Sequence, residues 1–501
     1  MQKRKEEGIT LVTLVVTIVV LIILTSITIV ATIGDNGLIT VLEQGRENVI
    51  NDIEGQKQKL NEIEEEREKT GITKPNGGGT NKPTRDDTGV NSPVLGDGMI
   101  PIKNNGENWV ICSTDDIEWF NYTKQESSTE NGGTSKWANI MLSDGKYKFG
   151  ENAKVGTIVQ DKELGSMFVW IPRYAYKITY YTDNNKNTIS SNNTIYGKVD
   201  IKFIKGNENI TWDENKCKYA DDNTLTQNDY IVHPAFTENA SLGGGFGEIS
   251  GIWIGKFEAS RSDATSTLMG TSEILKVVPN VASWRNISIS QMYSISKQYN
   301  ENLNSHMLKN SEWGAVAYLS HSEYGRNGTE ISVNQCESYI TGAGAGKGLN
   351  NTFNNTYTYS TGNFETTYAY NTSQGKKAST TGNVYGIYDL VGGANELTAT
   401  YYNNSDELVN GRPFANTGKI SDKYSISYSG TELNDNYIKG DATYETRKWN
   451  SDNSNFVNSE TPFLAYGGYY SLLDNAGIFG FDANDGKASN YTGFRACLIV
   501  E

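Results

Sequence analysis

Apolar and polar positions divide the chain into one unbroken apolar stretch near the N-terminus and a long remainder of short, interrupted runs. Ile9 to Ile33 continues for about 25 residues without a charge and is rich in Val, Ile, Leu and Thr. That length suffices to cross a hydrocarbon core of about 30 Å. Lys3, Arg4 and Lys5 stand immediately before it, so the positive-inside rule leaves the N-terminus in the cytoplasm and everything after Asp35 outside. A cleaved secretory signal fits poorly, because the run exceeds the roughly 7–15 apolar residues of such signals and lacks an A-x-A site. The pattern predicts a single-pass membrane helix over 9–33.

Leu38, Leu42, Val49, Ile53, Leu60 and Ile63 then recur at three-, four- or seven-residue spacings among Glu and Lys, which predicts a helical stalk over 34–70. Gly45 and Gly55 weaken it by about 1 kcal/mol each relative to Ala. From residue 71 to 98 the composition turns to Gly, Pro, Asn and Thr, the mark of a flexible linker. Residues 99–165 alternate short apolar or aromatic pieces, such as Trp109–Cys112 and Glu118–Tyr122, with turn residues. They read either as a small strand-rich module or as the entry to a main domain over 166–501. Within that domain Trp253 and Ile254 alternate with Gly255 and Lys256 like a half-buried strand. Trp313, Val316, Ala317 and Leu319 fall on one stripe of an amphipathic helix.

Composition narrows the function. The 501 residues carry a net charge of -15, which argues against a nucleic-acid backbone binder. Three histidines lie far apart, and the four cysteines (Cys112, Cys217, Cys336, Cys497) form no CxxC pair, so a poly-His centre, a zinc ribbon and a thioredoxin-like motif are set aside. Asn, Gly and Tyr are abundant and Pro scarce, which predicts a surface rich in turns.

Two resemblances add to this reading. Lys3-Arg4-Lys5-Glu6-Glu7-Gly8 followed by Ile9-Thr10-Leu11-Val12-Thr13-Leu14 is similar to a type IV prepilin leader, which implies peptidase cleavage between Gly8 and Ile9 and a leader spanning 1–8. Thr13 stands where that family usually carries Glu, which favours a minor, tip-located or simply anchored protein over a filament-building subunit. Further on, Gly251–Ser260, Val281–Trp284, Leu308–Ala317, Gly386–Glu396, Tyr466–Tyr469 and Gly493–Arg495 resemble, in order, six motifs of the formylglycine-generating, sulfatase-modifying factor family. The resemblance implies an α+β chain overall: a long N-terminal membrane and stalk helix, then a C-type-lectin-like domain rich in irregular loops.

The same resemblance implies site residues. The family's copper-binding cysteine pair has no counterpart in Ser471–Phe479, so the expectation is a catalytically inactive domain. A structural calcium ion is expected on one turn, with Asp389 and Glu396 as side-chain ligands and Gly392 and Ala394 as carbonyl ligands. The alternative is a turn whose carboxylates cap backbone amides. Some domains of this fold are variable proteins of diversity-generating retroelements. Tyr469, Tyr470, Asp474, Asn475, Asp482, Asn484, Asn490 and Tyr491 have the matching composition for a binding face. The expected function is a cell-membrane-anchored, surface-displayed protein that binds an extracellular glycan or protein, with pilin subunits as possible partners and no nucleic acid. The alternatives are a structural minor pilin and a divergent oxidase. Arg495, among apolar neighbours, is expected to be buried or half-buried with loop carbonyls as acceptors.

Overall fold

The computed structural model describes residues 89–125, 132–182, 196–207, 230–238, 245–344, 368–402, 418–424, 439–458, 460–472 and 475–501. The leader, the Gly8–Ile9 cleavage position, the apolar segment and the stalk lie outside the described residues, as does Asp474. Among the described residues, no helix is long and apolar enough to cross a membrane.

The strands, in chain order, begin with β1 Met99–Asn104, β2 Trp109–Ile111, β3 Asn139–Leu142, β4 Ile158–Val159, β5 Met167–Pro172, β6 Tyr174–Tyr181 and β7 Tyr196–Phe203. They continue with β8 Ile231–Val232, β9 Gly251–Gly255, β10 Ser260–Arg261, β11 Leu275–Lys276, β12 His306–Met307 and β13 Asn395–Leu397. The last are β14 Thr400–Tyr402, β15 Asp422–Tyr424, β16 Phe463–Tyr466, β17 Phe481–Asn484, β18 Thr492–Gly493 and β19 Ala496–Leu498. Two α-helices are described, α1 Ile289–Tyr299 and α2 Asn310–His321.

This corrects the α+β expectation: the described residues are mostly β-sheet with two α-helices, and the expected long N-terminal helix falls outside them. The short apolar and aromatic pieces between Gly and Asn are too brief for helices, whose nucleation needs several turns to repay. They bury themselves by pairing with distant segments instead.

The main sheet has eight strands in the order β12-β19-β9-β5-β3-β1-β2-β4, every pair antiparallel. Strands β1 to β4, from 99–165, therefore share one sheet with β5, β9 and β19. The C-terminal β19 inserts between β9 and β12, joining the end of the chain to its middle. Trp170 on β5 lies opposite Trp253 on β9, with ring centroids 5.2 Å apart. β9 is buried on both faces, not half-buried, because it is an inner strand covered on either side. A second sheet of order β17-β16-β13-β18 is antiparallel except for the β13–β18 pair.

The helix α2 is likewise buried along its whole length rather than on one stripe. Gly314 is the reason on one side: a Cβ there would lie 1.7 Å from the Gly440 carbonyl oxygen. Helix backbone and turn touch directly. On another side Trp313 stacks on Tyr466 of β16, with centroids 4.8 Å apart.

Candidate binding face

The segments that carried the second resemblance meet in space. Arg495 donates to the carbonyls of Gly255 (2.7 Å) and Tyr388 (2.8 Å), and its Nε donates to Glu396 Oε2 at 2.9 Å. Its Nη2 makes a second, short contact with Glu396 Oε1. Ala259 N donates to the Phe494 carbonyl, Trp284 N to Ala259, Leu308 N to Arg495 and Gly392 N to Gly467.

Around Arg495 the chain buries three carboxylates. Glu258, 1% exposed, accepts the Ala394 N–H at 2.8 Å. Asp389 accepts the Gly342 N–H at 2.8 Å and the Asn334 amide at 2.9 Å, in a left-handed backbone conformation of φ 64°. Burial pushes the Glu258 carboxyl well above its ordinary range, and the neighbouring Asp389 and Glu396 add to the push. Burial also raises Asp389 and Glu396, while Arg495 opposes.

This arrangement does not fit the expected calcium site. Calcium takes six to eight oxygens, yet both Glu396 oxygens face the Arg495 guanidinium and both Asp389 oxygens accept Gly342 N–H. A fixed cation already occupies the electrostatic centre of the turn. Asp389 caps the Gly342 N–H, whereas Glu396 answers the Arg495 guanidinium rather than a backbone amide.

A second buried group joins His306, Glu312 and Cys497, whose donor atoms all lie within 4.8 Å of one another. His306 and Cys497 are cross-strand partners on β12 and β19, and Glu312 enters from the first turn of α2. These are donor types of a thiophilic ion such as zinc. Glu312 is nevertheless engaged already: Oε1 by His306 Nε2 at 2.9 Å, Oε2 by the Lys309 N–H at 3.0 Å. The Lys309 ammonium stands 3.5 Å from Oε1. Burial raises the Glu312 pKa, but His306 and Lys309 outweigh it and hold the carboxyl at about 2. Burial pushes the Cys497 thiol far up, which suits packing rather than thiolate chemistry. Cys336 and Cys497 are free cysteines.

The tyrosines expected to bind do converge at the surface. Gly467 and Gly468, with φ 81° and 71°, turn the chain out of β16 so that Tyr469 and Tyr470 emerge beside the start of β13. Tyr470 N donates to the Gly393 carbonyl at 3.0 Å, and the Tyr491 carbonyl accepts Asn395 N–H at 2.7 Å. The two segments thus flank the same strand. Their rings meet: Tyr469 lies 4.9 Å from Tyr491 and 6.0 Å from Tyr470, centroid to centroid. Tyr469 and Tyr470 are half-buried, and Tyr491 is 51% exposed.

Three further residues complete this face without having been expected. The buried Tyr339 ring sits edge-on to Tyr470 at 5.1 Å, and the Arg285 guanidinium stacks over Tyr339 at 3.8 Å. Arg285 Nη1 donates to the Asn490 carbonyl at 2.8 Å, and the exposed Asn286 donates its amide to Asn490 Oδ1 at 2.8 Å. Burial raises the Tyr339 phenol's pKa, and Arg285 opposes. Arg285 and Asn286 follow the Trp284 motif directly, the one sequence cue that could have drawn attention to them. Nothing local marks Tyr339.

Asp482 and Asn484 spend their side-chain oxygens away from the tyrosine rings. They lie on β17, three strand spacings from β18 in the order β17-β16-β13-β18, or about 14 Å across the sheet. Asp482 accepts from the Asn455 amide, and Asn484 Oδ1 accepts the Gly486 N–H. Asn475 is exposed, on the turn that follows Tyr470. The chain matches no protein-family model and no curated protein.

Proposed function

We propose that the chain is a cell-surface binding protein, anchored through the apolar segment 9–33 and presenting the tyrosine face to an extracellular ligand. One observation carries this reading: Tyr469, Tyr470 and Tyr491 come together at the surface around a stacked Arg285 and the Asn490 amide. Tyrosines supply large contact area at low entropy cost, and amides supply adaptable hydrogen bonds. The meeting of the six family-like motifs around Arg495 supports the resemblance to sulfatase-modifying factors. In that light the domain is a binding relative rather than an oxidase, since its Ser471–Phe479 stretch lacks the cysteine pair. Protease added to intact cells tests the placement. Removal of the head without lysis agrees with it, and complete protection until lysis contradicts it.

A further inference from the structure

The tyrosine face contains a cation without a counter-ion. Arg285 is half-buried, its Nε is buried with no hydrogen-bond acceptor, and Nη1 reaches only a neutral carbonyl. Among the described residues, no carboxylate pairs with it. Three other arginines do hold a carboxylate: Arg173 holds Glu248, Arg261 holds Glu273 and Arg495 holds Glu396. Guanidinium cannot shed its charge, so a partly desolvated and unpaired one retains an uncompensated cost until an anion arrives. In a chain of net charge -15, leaving this arginine unpaired beside a cluster of surface tyrosines marks a seat for an anion.

We propose that the face takes a sugar bearing a carboxylate, the acid pairing with Arg285 while the sugar ring lies against Tyr469 and Tyr491. This rests on the reading of the face as the binding surface. The two outer rings lie 42° apart, an open wedge rather than a closed stack. Their hydroxyls have no hydrogen-bond partner among the described residues, and the Asn286 and Asn490 amides lie beside Arg285. Rings, hydroxyls and amides suit a polyhydroxylated ring, which presents C–H faces and O–H edges together. A carboxylate adds a charge-assisted contact to Arg, stronger than a neutral hydrogen bond.

The test uses the full chain in detergent on an array of glycans in matched pairs that differ only by a carboxylate: glucuronate against glucose, galacturonate against galactose, sialylated against desialylated. The expected result is a preference of about tenfold or more for the acidic member of at least one pair, the size of one charge-assisted hydrogen bond. The preference should shrink at high salt and vanish in Arg285→Gln, whose melting temperature is measured in parallel. Should that variant fail to fold, the wild-type preference and its salt dependence still decide. Equal binding to both members of every pair, or no acidic glycan held at all, overturns the assignment. Binding to neutral glycans or to proteins that is lost in Tyr491→Ala but kept in Arg285→Gln overturns the acid and leaves the face. Binding unchanged in both variants overturns both.

Discussion

Arg495 and Glu396, 99 residues apart in sequence, form a two-point ion pair with no solvent around it, where the chain passes from β18, the neighbour of β13, into β19. The same guanidinium holds the carbonyls of Gly255 and Tyr388, so one side chain ties β9, the Asp389 turn and the C-terminus together. Replacing it by Gln leaves Glu396 buried and unpaired. Arg495→Gln is expected to cost about 3–5 kcal/mol, read as a lowered urea midpoint. A loss below about 1 kcal/mol would show that the pair is not what fastens these segments.

Glu258 sets a pH dependence. Its folded pKa is raised, so the folded state holds a proton that the unfolded state releases above its ordinary pKa of about 4.3. Its contribution is therefore fully present below that value and is lost as pH rises towards the folded pKa. Glu258→Gln keeps an acceptor for Ala394 N–H and removes the titration. The melting temperature of the variant minus that of the wild type should grow between pH 5 and pH 8. A difference that stays flat or shrinks over that range contradicts the assignment.

The Asp389 turn should be indifferent to calcium. With its carboxylates committed to Gly342, Asn334 and Arg495, millimolar calcium and chelator should give the same melting temperature at fixed ionic strength. A calcium-dependent rise, as mass action requires for any ion that binds the folded state, would show that the turn reorganises around the ion.

Gly314 tests the burial of α2. Alanine normally favours a helix by about 1 kcal/mol over glycine, but here its Cβ would run into the Gly440 carbonyl. Gly314→Ala should destabilise by about 1–3 kcal/mol through overpacking. Stabilisation would mean that the 440 turn moves aside freely.

Local pattern made much of this molecule legible, and distance in sequence hid the rest. The Trp253-Ile254 strand and the Trp313–Leu319 helix were both visible in their periodicity. Their complete burial was not, because it depends on β19 arriving from the C-terminus beside β9 and on Gly440 resting against Gly314. The family resemblance implied calcium ligands over Asp389–Glu396, and Arg495, which answers Glu396, lies in a different segment, so no local pattern shows that pairing. Tyr469, Tyr470 and Tyr491 were recognisable as a face by composition. Asp482 and Asn484 shared that composition but fell on β17, and only the strand order separates them. Tyr339 and Arg285 reach the face from segments more than a hundred residues away.

The central claim is that the tyrosine face binds. Tyr469 is half-buried and Tyr491 exposed, so the Tyr469→Ala/Tyr491→Ala double variant should keep its stability to within about 1 kcal/mol, as surface changes usually do. The most direct measurement compares this variant with the wild-type chain on a combined glycan and protein array, with melting curves of both. The account predicts an unchanged melting temperature and a loss of about 2 kcal/mol or more in binding the wild type's ligand, the size of an aromatic hot spot. Binding retained at full strength by a folded double variant would contradict it.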